Sequence, residues 1–147
     1  MTLIDKLQKD FAQFNFELGE VCHWSSELNT IFYTKDAVEE TLLHELGHAL
    51  LSHKDFSQDI ELIHMERDAW TKAQEIAQNY GVKISEDTIE EALDSYREWL
   101  HRRSLCPNCQ QTGLQDNKTG DYLCINCRTK WQPNDARQKQ LRRKIKQ

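Results

Sequence analysis

A chain of 147 residues with 38% hydrophobic content has material for one modest domain with an appendage and a small core. No apolar run nears a membrane span, and the opening MTLIDKLQKDFAQF alternates charged and apolar residues, unlike a signal-peptide core. A cytoplasmic protein with no membrane partner is the expectation. The net charge of −5 is uneven: the last sixteen residues hold six Lys/Arg against one Asp, so residues 1–131 stand at −10. So acidic a body argues against a general nucleic-acid binder, whereas the basic tail is either a solvated arm or a contact for phosphate or an acidic partner.

In chain order, Leu3, Leu7, Phe11 and Phe14 recur at helical spacing and predict an amphipathic opening helix over 2–13. The aromatic and β-branched stretch that follows, broken at SSELN, predicts a β-hairpin with arms at 18–24 and 30–34. A helix should then run through KDAVEETLLHELGHALLSHK, with Asp36 as N-cap and Glu39 as its box partner. A second long helix is expected over 58–80, stopped by Gly81, and a third over 86–103, capped by Ser85. Pro107 ends the helical region, and a domain boundary falls near 104.

The chemistry concentrates in HELGH. His44 and His48 are one helical turn apart and share a face, so both can reach one metal ion, with Glu45 beside them. A zinc ion held by neutral imidazoles is a Lewis acid that lowers the pKa of water from 15.7 to about 7. A neighbouring carboxylate can then take the proton and pass it to a leaving amine. The plain alternative is a core helix that happens to carry histidines. Against it, Leu42, Leu43, Leu46, Ala49, Leu50 and Leu51 make the helix apolar nearly all round, so both histidines should be buried and in need of partners. Gly47 costs a helix interior about 1 kcal/mol relative to Ala, which points to close packing there.

A catalytic site needs a third protein ligand. The pattern HExxHxxGxxH fails, with Leu51 and Lys54 in the last two places. His64, Glu66 and Asp68 on the next helix are candidates, and His64 and Asp68 point to other sides of it than Glu66 does. HELGHALLSH followed about twenty residues later by ERDAW resembles the ImmA/IrrE family of zinc metallopeptidases over roughly residues 20–75. In that family the second helix reads E-x-E-A-[DN], and its first glutamate is the third ligand. The resemblance thus makes Glu66 the ligand and sets Asp68 and Ala69 on the E-A pair. Trp70 stands where an Asp or Asn would orient a ligand histidine, a departure that removes that support. The resemblance further implies a cytoplasmic endopeptidase acting on a specific protein, such as a repressor or stress regulator, with the hairpin before the active-site helix holding an extended substrate. His53, His64, Tyr80 and Tyr96 are candidates for stabilising an oxyanion, each with a plainer surface or packing role beside it.

Cys106, Cys109, Cys124 and Cys127 form two CxxC pairs fourteen residues apart, the spacing of a structural zinc ribbon; a rubredoxin-like iron site and a redox pair are the lesser readings. Cys22 reads as a buried strand residue. Tyr122 and Trp131 should pack across the ribbon hairpin. The expected whole is α+β. A mainly helical zincin-like metallopeptidase domain with a small β-hairpin or sheet (1–104) precedes a four-cysteine zinc ribbon (105–131) and a basic tail (132–147). It would hold two zinc ions per chain, one catalytic and one structural, and act on a protein or peptide. Lys118, Arg128, Lys130 and the tail form a surface for possible nucleic-acid contact. Rival readings are an SprT-like protease of DNA-bound proteins, with His64 as third ligand, and a non-catalytic zinc-binding adaptor.

Overall fold

The opening helix is set by its first turn. In α1 (Leu3–Asp10) the Thr2 hydroxyl accepts from the amide of Asp5, while the Asp5 carboxylate accepts from the amide of Thr2. Leu7 is wholly buried, and the helix closes at Phe11, shorter than its apolar spacing predicts. The computed structural model describes residues 1–135 and 140–146, so residues 136–139 and 147 of the expected tail lie outside the described residues. Over the described residues the fold is α+β, with four α-helices and two small sheets. No helix among them is long and apolar enough to cross a membrane.

The first sheet holds β1 (Asn15–Leu18), β2 (His23–Ser25) and β3 (Thr30–Tyr33) in the order β1-β3-β2. β2 and β3 form the expected hairpin, with Trp24 opposite Ile31 and Asn29 left-handed at φ 51° before β3. The near arm is shorter than predicted, because residues 19–22 form a loop and residue 18 ends a separate strand, β1, that pairs in parallel on the far side of β3. Apolar alternation reveals a strand but not the neighbour it chooses. Cys22 lies in the loop between β1 and β2, half-buried, with its thiol 3.8 Å from the Thr34 hydroxyl.

α2 (Glu39–Leu50) begins three residues after Asp36. Val38 is the N-cap, in extended conformation and with no side-chain capping bond, because residues 34–37 close a turn in which the Ala37 amide donates to Thr34. Asp36 and Glu39 therefore form no capping box, and Glu39 and Glu40 instead complement the helix dipole. α3 (Asp59–Ala77) continues into one turn of 3₁₀-helix and stops at left-handed Gly81, as expected. α4 (Glu86–Ser104) starts at Ser85, whose hydroxyl accepts from the Thr88 amide.

The chain divides into two compact units, Met1–Asp55 with His64–Glu90, and Phe56–Ile63 with Glu91–Gln147. The second unit takes in the first residues of α3 and most of α4 along with the cysteine segment. Its sheet has the order β4 (Leu114–Gln115), β5 (Tyr122–Leu123), β6 (Lys130–Pro133), β7 (Arg143–Lys146), all antiparallel. Part of the basic tail is thus a strand. Tyr122 and Trp131 are opposed on β5 and β6 and stack at 5.5 Å. Under them Asp59 accepts from Arg103 (2.8 Å) and from the Tyr122 hydroxyl (2.7 Å), and the Trp131 indole donates to the Arg103 carbonyl. A buried carboxylate is tolerated because a guanidinium and a hydroxyl both satisfy it.

In the first unit, α2 and α3 touch backbone to backbone at Gly47. A Cβ there would lie 3.3 Å from the Ala69 Cα, 3.2 Å from its carbonyl carbon and closer still to its oxygen. Gly47→Ala would gain about 1 kcal/mol of helix propensity, but overpacking costs typically 1–3 kcal/mol. The expected outcome is a net loss of up to about 2 kcal/mol in urea unfolding; a gain would show that the helices have room to part.

Candidate metal centres

α2 turns both of its histidines toward α3. His44 and His48 are buried, at 7% and 8% exposure, and Glu66 on α3 is buried at 6%. The His44 Nε2 stands 3.1 Å from the His48 Nε2; the Glu66 carboxylate lies 2.9 Å from His44 and 3.3 Å from His48. Ligand atoms about 2.0–2.1 Å from one tetrahedral ion would be roughly 3.3 Å apart, so the spacing suits a shared cation. A further observation supports the fit. The Glu66 Oε2 is 2.9 Å from an imidazole nitrogen yet makes no aligned hydrogen bond and is otherwise orphaned in the interior among the described residues. Close approach without alignment is what donors aimed at a common centre produce. His44, His48 and Glu66 could together hold a metal ion.

The electrostatics agree. Burial pushes the His44 imidazole below its usual range, which keeps it neutral and its lone pair available. Burial alone would raise the Glu66 carboxyl, but the close imidazoles of His44 and His48 hold it well below the usual carboxylate range. Glu45, partly exposed beside this group, is pushed up to about 7 by burial, against the pull of His48 and the backbone amide of Trp24. A dication in the site would draw that value back down.

Trp70 does not bond a ligand histidine, as an Asp or Asn would. Its ring stacks on His44 with centroids 4.2 Å apart and planes 24° apart, and the His44 Nδ1 is left buried without a hydrogen-bond partner among the described residues. Contact, not a hydrogen bond, fixes that ring. Of the other candidate ligands, His64 and Asp68 are exposed and outside the group. Of the candidate oxyanion groups, His53 bonds the back of His48, and Tyr80 donates to Asp10 at 2.6 Å, with burial and that bond raising its hydroxyl to about 12. His64 is exposed and Tyr96 belongs to the second unit.

The four cysteines form a second group able to hold a metal, all of them free thiols. Cys106 and Cys127 are 3.6 Å apart and Cys109 and Cys124 3.4 Å, both well beyond a disulfide bond. The two CxxC loops repeat one design. Gln110 and Arg128, the residues after each loop, are left-handed, and their amides donate to the carbonyls of Cys106 and Cys124. Each loop carries an Asn, and each donates to a thiol of the opposite loop: Asn108 to Cys127 at 3.5 Å and Asn126 to Cys109 at 3.6 Å. Hydrogen bonds from Thr129 and Asn108 lower the Cys127 thiol, and the bond from Asn126 leads the causes that lower Cys109. Two thiols biased toward thiolate within a set of four sulfur ligands suit a structural metal. The pairing of the two asparagines went unread in the sequence, although their shared third place in CPNC and CINC was a visible signal.

Comparison with protein-family models, curated proteins and solved structures returns no match.

If the crossed asparagines steady the thiolates, the Asn108→Ala/Asn126→Ala double variant should release metal to a chelator about 10–100-fold faster or more completely than wild type. Release followed with a chromogenic thiol or chelator checks this; unchanged release would reduce both residues to turn formers.

Proposed function

We propose that the chain is a zinc-dependent endopeptidase of the zincin type, similar to the ImmA/IrrE family. It would hydrolyse peptide bonds of a specific intracellular protein, and a second, structural zinc would sit in its ribbon. The observation that carries this reading is the convergence of His44, His48 and Glu66 on one centre with Glu45 beside it. Two imidazoles and one carboxylate are three protein ligands, which leaves a tetrahedral ion one open position. That position separates this centre from the closed set of four cysteines.

A zinc ion in the site supplies Lewis acidity, polarising a carbonyl and making hydroxide available at neutral pH. Everything else falls to the chain. The Glu45 carboxylate takes the proton from the attacking water and returns it to the leaving amine nitrogen. Trp24, whose backbone amide helps to pull the Glu45 carboxyl down, lies on β2, an edge strand of its sheet. The same edge is suited to an extended peptide, which would pair with it as an added strand. The reading with His64 as third ligand lacks support, since that residue is exposed and apart from the others.

Cleavage of a quenched peptide library by the zinc-loaded chain tests the proposal. Glu45→Gln should reduce the rate by about 10²–10⁴-fold with zinc content unchanged. Cleavage that survives the substitution, or no cleavage by a wild type with both zincs bound, would contradict the assignment and favour a binding role.

A further inference from the structure

The end of α2 builds a support for one of its own histidines. Ser52 is left-handed at φ 56°, a conformation uncommon for a residue with a Cβ. It turns the chain back over the helix: the Ser52 amide donates to the Ala49 carbonyl at 3.0 Å and the His53 amide to the His48 carbonyl at 3.0 Å. This paired closure usually sets an apolar side chain against the last helical turn. Here it sets imidazole against imidazole, with the His53 Nδ1 2.8 Å from the His48 Nδ1. The Trp24 indole donates to the His53 carbonyl at 3.0 Å, tying the same residue to β2.

The two ring nitrogens of His48 thus face different partners. Its Nε2 points to His44 and Glu66, so its lone pair is directed at the centre only if the proton sits on Nδ1. That Nδ1–H needs an acceptor, and metal-ligating histidines generally find one in a carboxylate, carbonyl or water. We infer that His53 is the positioning residue of the site: its Nδ1 accepts from the His48 Nδ1–H and fixes the tautomer and tilt of that ligand. His44 has only the Trp70 stack, so His53 carries the single hydrogen bond to either ligand imidazole from outside the ligand group among the described residues. The inference rests on the metal-site reading above and adds a residue to it.

Zinc affinity of the full chain, measured by chelator competition for the equivalent that Glu66→Ala lacks, tests it. His53→Ala and His53→Leu should weaken binding about 10–100-fold, whereas His53→Asn, whose Oδ1 can accept the same bond, should stay close to wild type. The zinc-free melting temperature should differ among them by no more than the few degrees that loss of one hydrogen bond costs. A through-hydrogen-bond ¹⁵N–¹⁵N coupling between the two rings should be visible in the zinc-loaded wild type, and this readout needs no variant to fold. Wild-type affinity in His53→Leu, equal losses in the Leu and Asn variants, or absence of the coupling would each overturn the positioning role. A wild type that takes up only the zinc lost with the cysteines would overturn the underlying metal reading instead.

Discussion

The candidate site depends on how closely two helices approach. Glu66 is on α3 and both histidines are on α2, and their donor atoms lie about 3 Å apart because Gly47 lets the α2 backbone meet Ala69 without an intervening side chain. A glycine that weakens the helix locally is therefore what completes the ligand group. Ala69, small and fully buried, does the same from the other side. The greasy remainder of LLHELGHALL is buried at Leu42, Leu43, Leu46 and Ala49, which anchors α2 in the interior.

Burial then sets the chemistry. Three polar groups taken from water would be costly without mutual satisfaction. Here one carboxylate sits against two imidazoles, of which burial keeps His44 neutral with its lone pair on offer, and an orphaned carboxylate oxygen leaves the group one centre short of satisfied. A cation answers that deficit by taking a lone pair from all three groups at once, whereas a water molecule has only two hydrogens to donate to three acceptors. The cysteine group reaches a similar end differently, through turn geometry that aims amides and asparagine side chains at sulfur.

Much of this was legible in the sequence where the determinants are local. HELGH and CPNC/CINC carry their spacing with them, and the helical periods, the Gly81 stop and the Ser85 cap depend on neighbours a few residues away. Glu66 was reached only through resemblance, since nothing in ERDAW itself prefers it to His64 or Asp68. The parallel pairing of β1 was not legible, because alternation does not state on which side of β3 a strand will lie. Nor was β7, whose basic residues read as a solvated tail until pairing with β6 is seen. Asp36 lost its capping role to a turn just before the helix. His53 stood out in the sequence only as an oxyanion candidate. Its place behind His48 follows from the left-handed backbone of Ser52, which no residue pattern announces.

Native mass spectrometry of the metal bound to the chain tests the central claim most directly. Wild type should hold two zinc ions, and Glu66→Ala and Cys106→Ser/Cys109→Ser should each hold one, because two separate ligand groups are at work. A single zinc that disappears with the cysteines and ignores Glu66 would mean that HELGH is only a packed helix, and the catalytic reading would fall.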